Sequence, residues 1–450
     1  MSGTPTITLL RPEDAERRQR QAAGGFKRAG LTPGSVVVVA TDGSVDALCA
    51  VLGAARSHLV PVLLNPSLTE REVHALLAQV EPAMVLTQAS QVAALFDGKE
   101  QELAPHPLTR PIHFTSGTTG VPKAVTTGLQ DERTAAAIVA DEQELWRLGP
   151  GDRFLMCSPM HHTVAIRFAV TALSSGAELL FTSKFDAANT LQSLRTDQPT
   201  AAFMVPTHLQ RILGSQDLGP DETFSSLRYL AHAGSSCPPS LKLAAMDRVG
   251  GEGILEFYGA SEAQFAFCTQ DEWLEHPGTV GRARSGRRLL IDPVDGGDGI
   301  GTIWCEVPEF ARFSYLGNQE ATDAAWRGPA CTVGDLGELD SEGFLYLTGR
   351  RQDLIITGGV NVYPAEVEAG LSGVGGVTEL CVFGVEDPTW GQKVCCAVVG
   401  GAEAIANLRQ RAERDLAPHK RPKEYFELDA LPMTSTGKVL RREVASLFGF

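Results

Sequence analysis

With 450 residues the chain exceeds what one small core accommodates, which implies two or more substructures. A formal net charge of −15 excludes a general nucleic-acid or membrane-surface binder, because both targets require broad positive potential; any anionic ligand must be met by a local cluster. Nine scattered cysteines fit reduced thiols better than a disulfide framework, no apolar run approaches a membrane span, and Met1 to Gly25 is too polar for a signal peptide, so a soluble cytoplasmic monomer or homodimer is expected.

From Gly34 to Pro66, SVVVVATDG reads as a buried parallel strand, VDALCAVLGAA has helical spacing and VPVLLNP supplies a second strand. The same grammar recurs at AMVLTQ, DRFLMCSP, AELLFT, AAFMVP and LRYLAHAG, with helical segments such as Thr134 to Leu148 and Ala187 to Leu194 between them. The fold class is therefore α/β with largely parallel sheets. Asp97 to Pro111 reads as a short linker. Between about Asp271 and Leu347, short strands broken by Gly and Asp predict a small β subdomain. After Arg350 comes a compact α+β segment: a strand DLIIT, a Gly-Gly turn, a helix opening near Pro364, two strands and a helix near Ile405 to Leu416. That segment reads as a separate domain joined near Arg351 to Asp353.

Chemistry concentrates first in FTSGTTGVPKAV, Phe114 to Val125, where seven of twelve residues are Gly, Ser, Thr or Pro. Small residues let backbone N–H groups crowd an anion, hydroxyls add donors and Lys123 adds charge, so the loop is suited to phosphate. It is not a GxxxxGK[ST] loop, because Val-Pro separates Gly120 from Lys123. Downstream, YGASEA places Ser261 and Glu262 just beyond a strand end, where open α/β sheets receive ligands. A carboxylate beside a hydroxyl suits Mg²⁺ shared with substrate phosphates.

The phosphate loop closely resembles the signature of the adenylate-forming superfamily, which includes acyl-CoA synthetases, peptide-synthetase adenylation domains and luciferases. The resemblance extends through YGASEA, GDLGELDSEGFLYLTGRRQD, ITGGVNVYPAEVE and LPMTSTGKVLRRE, in order along the chain. It implies a large AMP-binding region at 1–350, made of two α/β subdomains and a β-barrel-like subdomain at about 271–348, a hinge at 351–353 and a small mobile α+β domain at 354–450. It also implies sites. Thr115, Ser116, Gly117, Thr118, Thr119, Gly120 and Lys123 would hold ATP phosphates. Gly234 and Ser235, in HAGSSCPPS, would border the adenine, with Tyr258, Gly259, Ala260 and Ser261 beside the nucleotide and Glu262 and Ser261 at the metal. Asp335 would accept from the ribose hydroxyls, with Arg350 at the domain border.

By the same resemblance Lys438 would contact the carboxylate and α-phosphate during adenylation, and Gly358 and Gly359 would line the route of the second substrate. The implied reaction makes an acyl-adenylate from ATP and a carboxylic acid, then a thioester. CoA is the favoured acceptor, because Lys420, Arg421 and Lys423 form a basic cluster on an acidic chain and Trp390 suits a pantetheine arm. A carrier-protein thiol is the alternative, and an inactive ligand-binding homologue is the reading of another class. His161 and His162, with Gly259, are expected to line the acyl pocket. No acidic residue lies between Pro159 and Ser175, so an acid without an α-amino group is expected. Gln352 replaces the charged residue common at the hinge.

Overall fold

Four successive valines, Val36–Val39, form a strand, and the Ser44 hydroxyl caps the following helix Val45–Arg56 by accepting from the Ala47 N–H. Val60–Leu63 and Met84–Leu86 pair with that strand in parallel on either side. The computed structural model describes residues 7–115, 122–182, 184–293, 299–350, 353–357, 360–387, 390–433 and 439–450, less the side chains of Arg350 and Asn361.

The chain divides into two compact units, residues 1–287 with 307–329, and residues 288–306 with 330–450. An eight-stranded sheet dominates the first. Glu178–Phe181, Arg153–Met156, Ala201–Met204, Tyr229–His232 and Gly253–Gly259 run parallel in that order, with Thr8–Leu10 antiparallel at one edge and Gln264–Cys268 and Arg282–Ala283 at the other. Parallel neighbours need crossovers, supplied by helices such as Thr163–Ser174 and Ala187–Thr196. An aromatic cluster of Trp146, Phe168, Phe203 and Phe257 fills the core, with Trp146 and Phe168 centroids 4.7 Å apart.

Where short strands are expected from Asp271, the chain first makes one more helix, Gln270–Glu275. Thr269 and Glu272 cap it reciprocally, a local signal that outweighs the surrounding turn residues. The hairpin strands of the second unit begin at Arg288–Pro293, paired with Gly301–Glu306, followed by the pair Asp335–Leu339 and Leu345–Arg350. A five-stranded sheet in the same unit carries the helices Pro364–Leu371, Ala402–Asp415 and Arg441–Leu447. All nine cysteines are free, and among the described residues no helix is long and apolar enough to cross a membrane.

The helix Pro12–Arg28 lies against the segment 95–99 so closely that a Cβ at Gly24 would stand 1.8 Å from the Lys99 carbonyl oxygen. Gly24→Ala is therefore expected to lower stability in urea by about 1–3 kcal/mol, the usual range for overpacking. Gly149→Ala, with no atom within 4 Å of the added carbon, should change it by less than about 0.5 kcal/mol. Equal midpoints for both variants would show that the helix can shift at no cost.

Candidate active site

The strand His113–Thr115 forms an antiparallel hairpin with Lys123–Thr126, which pairs on its other side with Ser314–Tyr315. In this register Thr115 lies opposite Lys123, and Tyr315 lies opposite Val125. The turn after Gly253–Gly259 meets this small sheet. Gly259 lets the chain fold back on itself, since a Cβ there would lie 2.4 Å from the Ala263 carbonyl oxygen, to which the Ala260 N–H donates at 2.8 Å. That reversal buries Glu262, only 5% exposed.

A buried carboxylate requires donors, and distant segments supply them. Tyr315 donates its hydroxyl to Glu262 Oε1 at 3.0 Å, and Thr115 Oγ1 donates to the same oxygen at 3.4 Å. The Lys123 ammonium sits 4.8 Å from the centre of the Tyr315 ring. Ser261 is tied to the Thr163 hydroxyl at 2.9 Å, and Tyr258 is buried with its ring edge-on to Phe265. The structure thus gathers Thr115, Lys123, Ser261 and Glu262. Tyr315 joins them without having been singled out from the sequence; its only signal is a strand pairing between remote segments, which no local spacing reveals.

His161 and His162 lie side by side at the start of the helix Thr163–Ser174, ring centroids 4.3 Å apart, and burial pushes His161 down to about 4. Gly234 and Ser235 are exposed on the loop after Tyr229–His232, where Gly234 has φ 94°, a conformation suited to glycine.

Next to Glu262 lies a cavity of about 90 Å³. Thr163, Ile166, Arg167 and Val170 border it from one helix face, and Ile138, Asp141 and Glu142 from the helix Glu132–Trp146. Asp141 receives Arg284 at 2.9 Å and both terminal nitrogens of Arg287 at 2.9 Å. Glu142 receives the Trp146 indole N–H at 3.0 Å, Arg284 at 3.2 Å and Arg167 at 3.4 Å. None of these charges stands in a recognisable motif, and none was expected at the pocket.

In the second unit, Asp335 opens the strand Asp335–Leu339 in register with Arg350. Trp390 is 49% exposed. Lys420 pairs with Glu366, while Arg421 donates to the Leu416 carbonyl at 2.8 Å and Lys423 to the Pro418 carbonyl at 2.9 Å. Ser116, Gly117, Thr118, Thr119, Gly120, Gln352, Gly358, Gly359 and Lys438 lie outside the described residues, as does the Arg350 side chain.

The family model described as AMP-binding enzyme matches residues 13–312, and that of the AMP-binding enzyme C-terminal domain matches residues 366–438. A medium/long-chain-fatty-acid–CoA ligase of Mycobacterium tuberculosis is 29% identical over 98% of this chain and 80% of its own length. A 4-chlorobenzoate–CoA ligase of a Pseudomonas species is 30% identical over 98% of this chain and 89% of its own. Among solved structures, the o-succinylbenzoate CoA synthetase of Bacillus subtilis in complex with its acyl-adenylate intermediate superposes with a TM-score of 0.85 at 25% identity, covering 96% of this chain and 92% of that one.

His113, 4% exposed and lining the cavity, is lowered to about 4 by burial, like His161. Unfolded histidine titrates near 6.5, so between about pH 6.5 and 4 the unfolded chain takes up protons that the folded one refuses. Stability contributed by both neutral rings should be fully present above that window and fall steadily as the pH is lowered through it. Imidazole NMR signals should stay those of neutral rings at about pH 5.5. Protonation of both near pH 6.5 in the folded protein would show that they are solvated.

Proposed function

This chain belongs to the family of AMP-binding enzymes, and on that premise we propose that it is an acid–thiol ligase that converts a carboxylic acid and coenzyme A to an acyl-CoA, with ATP cleaved to AMP and pyrophosphate. In the first half-reaction a carboxylate oxygen attacks the α-phosphorus and the bond to the β-phosphate bridge breaks. In the second, the CoA sulfur attacks the acyl carbonyl carbon, AMP leaves and the thiol proton is lost. The observation that carries this reading is the buried Glu262 at the meeting of the Thr115–Lys123 hairpin and the Tyr258-to-Ala263 turn, in a chain whose relatives over nearly its full length are CoA ligases.

The donor set fits Mg²⁺, which favours one or two carboxylates together with substrate phosphates. Glu262 is such a carboxylate, oriented by Tyr315 and Thr115, with the Ser261 hydroxyl adjacent. Bound there, the ion would neutralise phosphate charge as pyrophosphate departs. Lys123 faces the same charge. Tyr258, with Gly234 and Ser235, borders the adenine, Asp335 holds the ribose, and Lys438 meets the reacting carboxylate and α-phosphate; these assignments rest on the motifs. Arg421 and Lys423 receive the CoA phosphates, with the Gly358-Gly359 turn on the thiol's path. Both carboxylates that line the cavity, Asp141 and Glu142, are held by arginines rather than free to pair with an α-ammonium, which supports an acid without an α-amino group.

With ATP, Mg²⁺, CoA and a panel of acids, the protein should release AMP and pyrophosphate and form a thioester in equal amounts. Lys438→Ala should slow adenylation by roughly 10² to 10³, the usual loss for one preorganised contact to developing charge. The same variant should turn chemically made acyl-adenylate and CoA into thioester near the parental rate. Replacing Arg421 and Lys423 together with Ala should raise KM for CoA. Adenylate release at every CoA concentration with no thioester would sink the ligase reading.

Tyr315→Phe deletes one hydrogen bond to a buried carboxylate, so adenylation should slow about 10- to 100-fold and require more Mg²⁺. Parental rates at limiting Mg²⁺ would reduce Tyr315 to packing.

A further inference from the structure

Four side chains that line the cavity beside Glu262 keep buried polar atoms without a hydrogen-bond partner: Arg110 at Nε and Nη2, Gln264 at Nε2 and Oε1, His113 at Nε2 and Arg287 at Nε. Gln264 is 3% exposed. Folded proteins leave few such atoms unpaired, so their convergence on one cavity marks a ligand's polar end. The charges agree. Four guanidinium groups, Arg110, Arg167, Arg284 and Arg287, share this region with the three carboxylates of Asp141, Glu142 and Glu262, and Arg110 has none of them as a hydrogen-bond partner. Burial lowers Arg110 to about 10, with repulsion from Arg167 and Arg287 offset in part by Glu142 and Glu262, and leaves it charged at neutral pH.

Resting on the ligase reading, we infer that the acid activated here carries a second carboxylate, at the end of its body remote from the adenylated one, and that Arg110 receives it. The guanidinium offers Nε and Nη2 as a fork for two carboxylate oxygens, and the Gln264 amide adds a donor. His113 contributes no charge: it is neutral, and its Nδ1 faces the Pro111 carbonyl at 2.8 Å, which leaves Nε2 as an acceptor. Ile138, Ile166 and Val170 make the walls apolar, so the stretch between the two carboxylates is hydrocarbon or aryl. Ala263, which lines the cavity, follows Glu262, and Thr163, which also lines it, holds Ser261, so the cavity lies next to residues assigned to adenylation. An acid that ends in a methyl group would leave Arg110 Nε and Nη2 without a hydrogen-bond acceptor.

The test compares matched acids of equal length ending in methyl, carboxamide, sulfonate or carboxylate, by pyrophosphate release with ATP and CoA and by calorimetric binding without ATP. The dicarboxylate should exceed its methyl counterpart in kcat/KM by on the order of 10²-fold, and the carboxamide should fall near the methyl acid. Arg110→Met should bring the dicarboxylate-to-methyl ratio toward one, and Arg110→Lys should restore part of it. Gln264→Leu should lower the ratio in the same direction, and if Arg110→Met does not fold, the parental ratio and Gln264→Leu decide. A parental ratio of one or less with methyl acids consumed overturns the second-carboxylate inference and leaves the ligase standing. Turnover of no acid, with dicarboxylate binding that weakens in Arg110→Met, overturns the ligase reading and upholds the pocket. Binding that ignores the terminal group overturns the pocket.

Discussion

Much of the packing around the Thr115–Lys123 hairpin depends on keeping one carboxylate out of water. At 5% exposure Glu262 would be strongly unfavourable without donors, and the fold brings a tyrosine hydroxyl and a threonine hydroxyl to the same oxygen. The requirement reaches far along the chain. It needs the reversal at Gly259, the hairpin from His113 to Thr126, and the return of the chain at Ser314–Tyr315 to extend that hairpin. The segment 307–329, which supplies Tyr315, belongs to the first unit, although the strands on either side of it belong to the second.

A second electrostatic arrangement lies behind the first and has the opposite sign. Asp141 and Glu142 on one helix hold three arginines from two other segments, with Arg284 only 5% exposed. Such a network gives directional contacts at a considerable desolvation cost, so it is better understood as shaping a site than as adding stability. Its surplus of positive charge lies beside the cavity, where the side chains of Ile138, Ile166 and Val170 provide no competing solvation. On a chain of net charge −15, such a local excess favours an anion where the molecule as a whole does not.

The basic stretch of the second unit behaves differently. Lys420 is paired with Glu366, and Arg421 and Lys423 donate to backbone carbonyls of their own loop. These partners hold the loop in shape without cancelling the charge of Arg421 and Lys423. A phosphate group bound there would compete with neutral carbonyls rather than with carboxylates, at half-buried Arg421 and exposed Lys423.

The strand-helix alternation, the α+β character of the last hundred residues and the family motifs are local properties, readable from apolar periodicity, turn residues and contiguous strings. Thr115, Lys123, Ser261 and Glu262 belong to such strings, and the structure brings them together. The helix Gln270–Glu275 was hidden because its capping box sits among turn formers, although Thr269 and Glu272 carried the signal. Tyr315, Arg110, Gln264 and the Asp141–Glu142 pair lacked even that. A lone tyrosine, arginine or glutamine reads as surface or core until pairing and packing give it neighbours, and those neighbours are remote in sequence. The sequence by itself determined which elements form and which reaction family they serve; the tertiary structure alone decided which charges are left unanswered beside Glu262, because charge balance in a cavity is a sum over segments that only folding brings together.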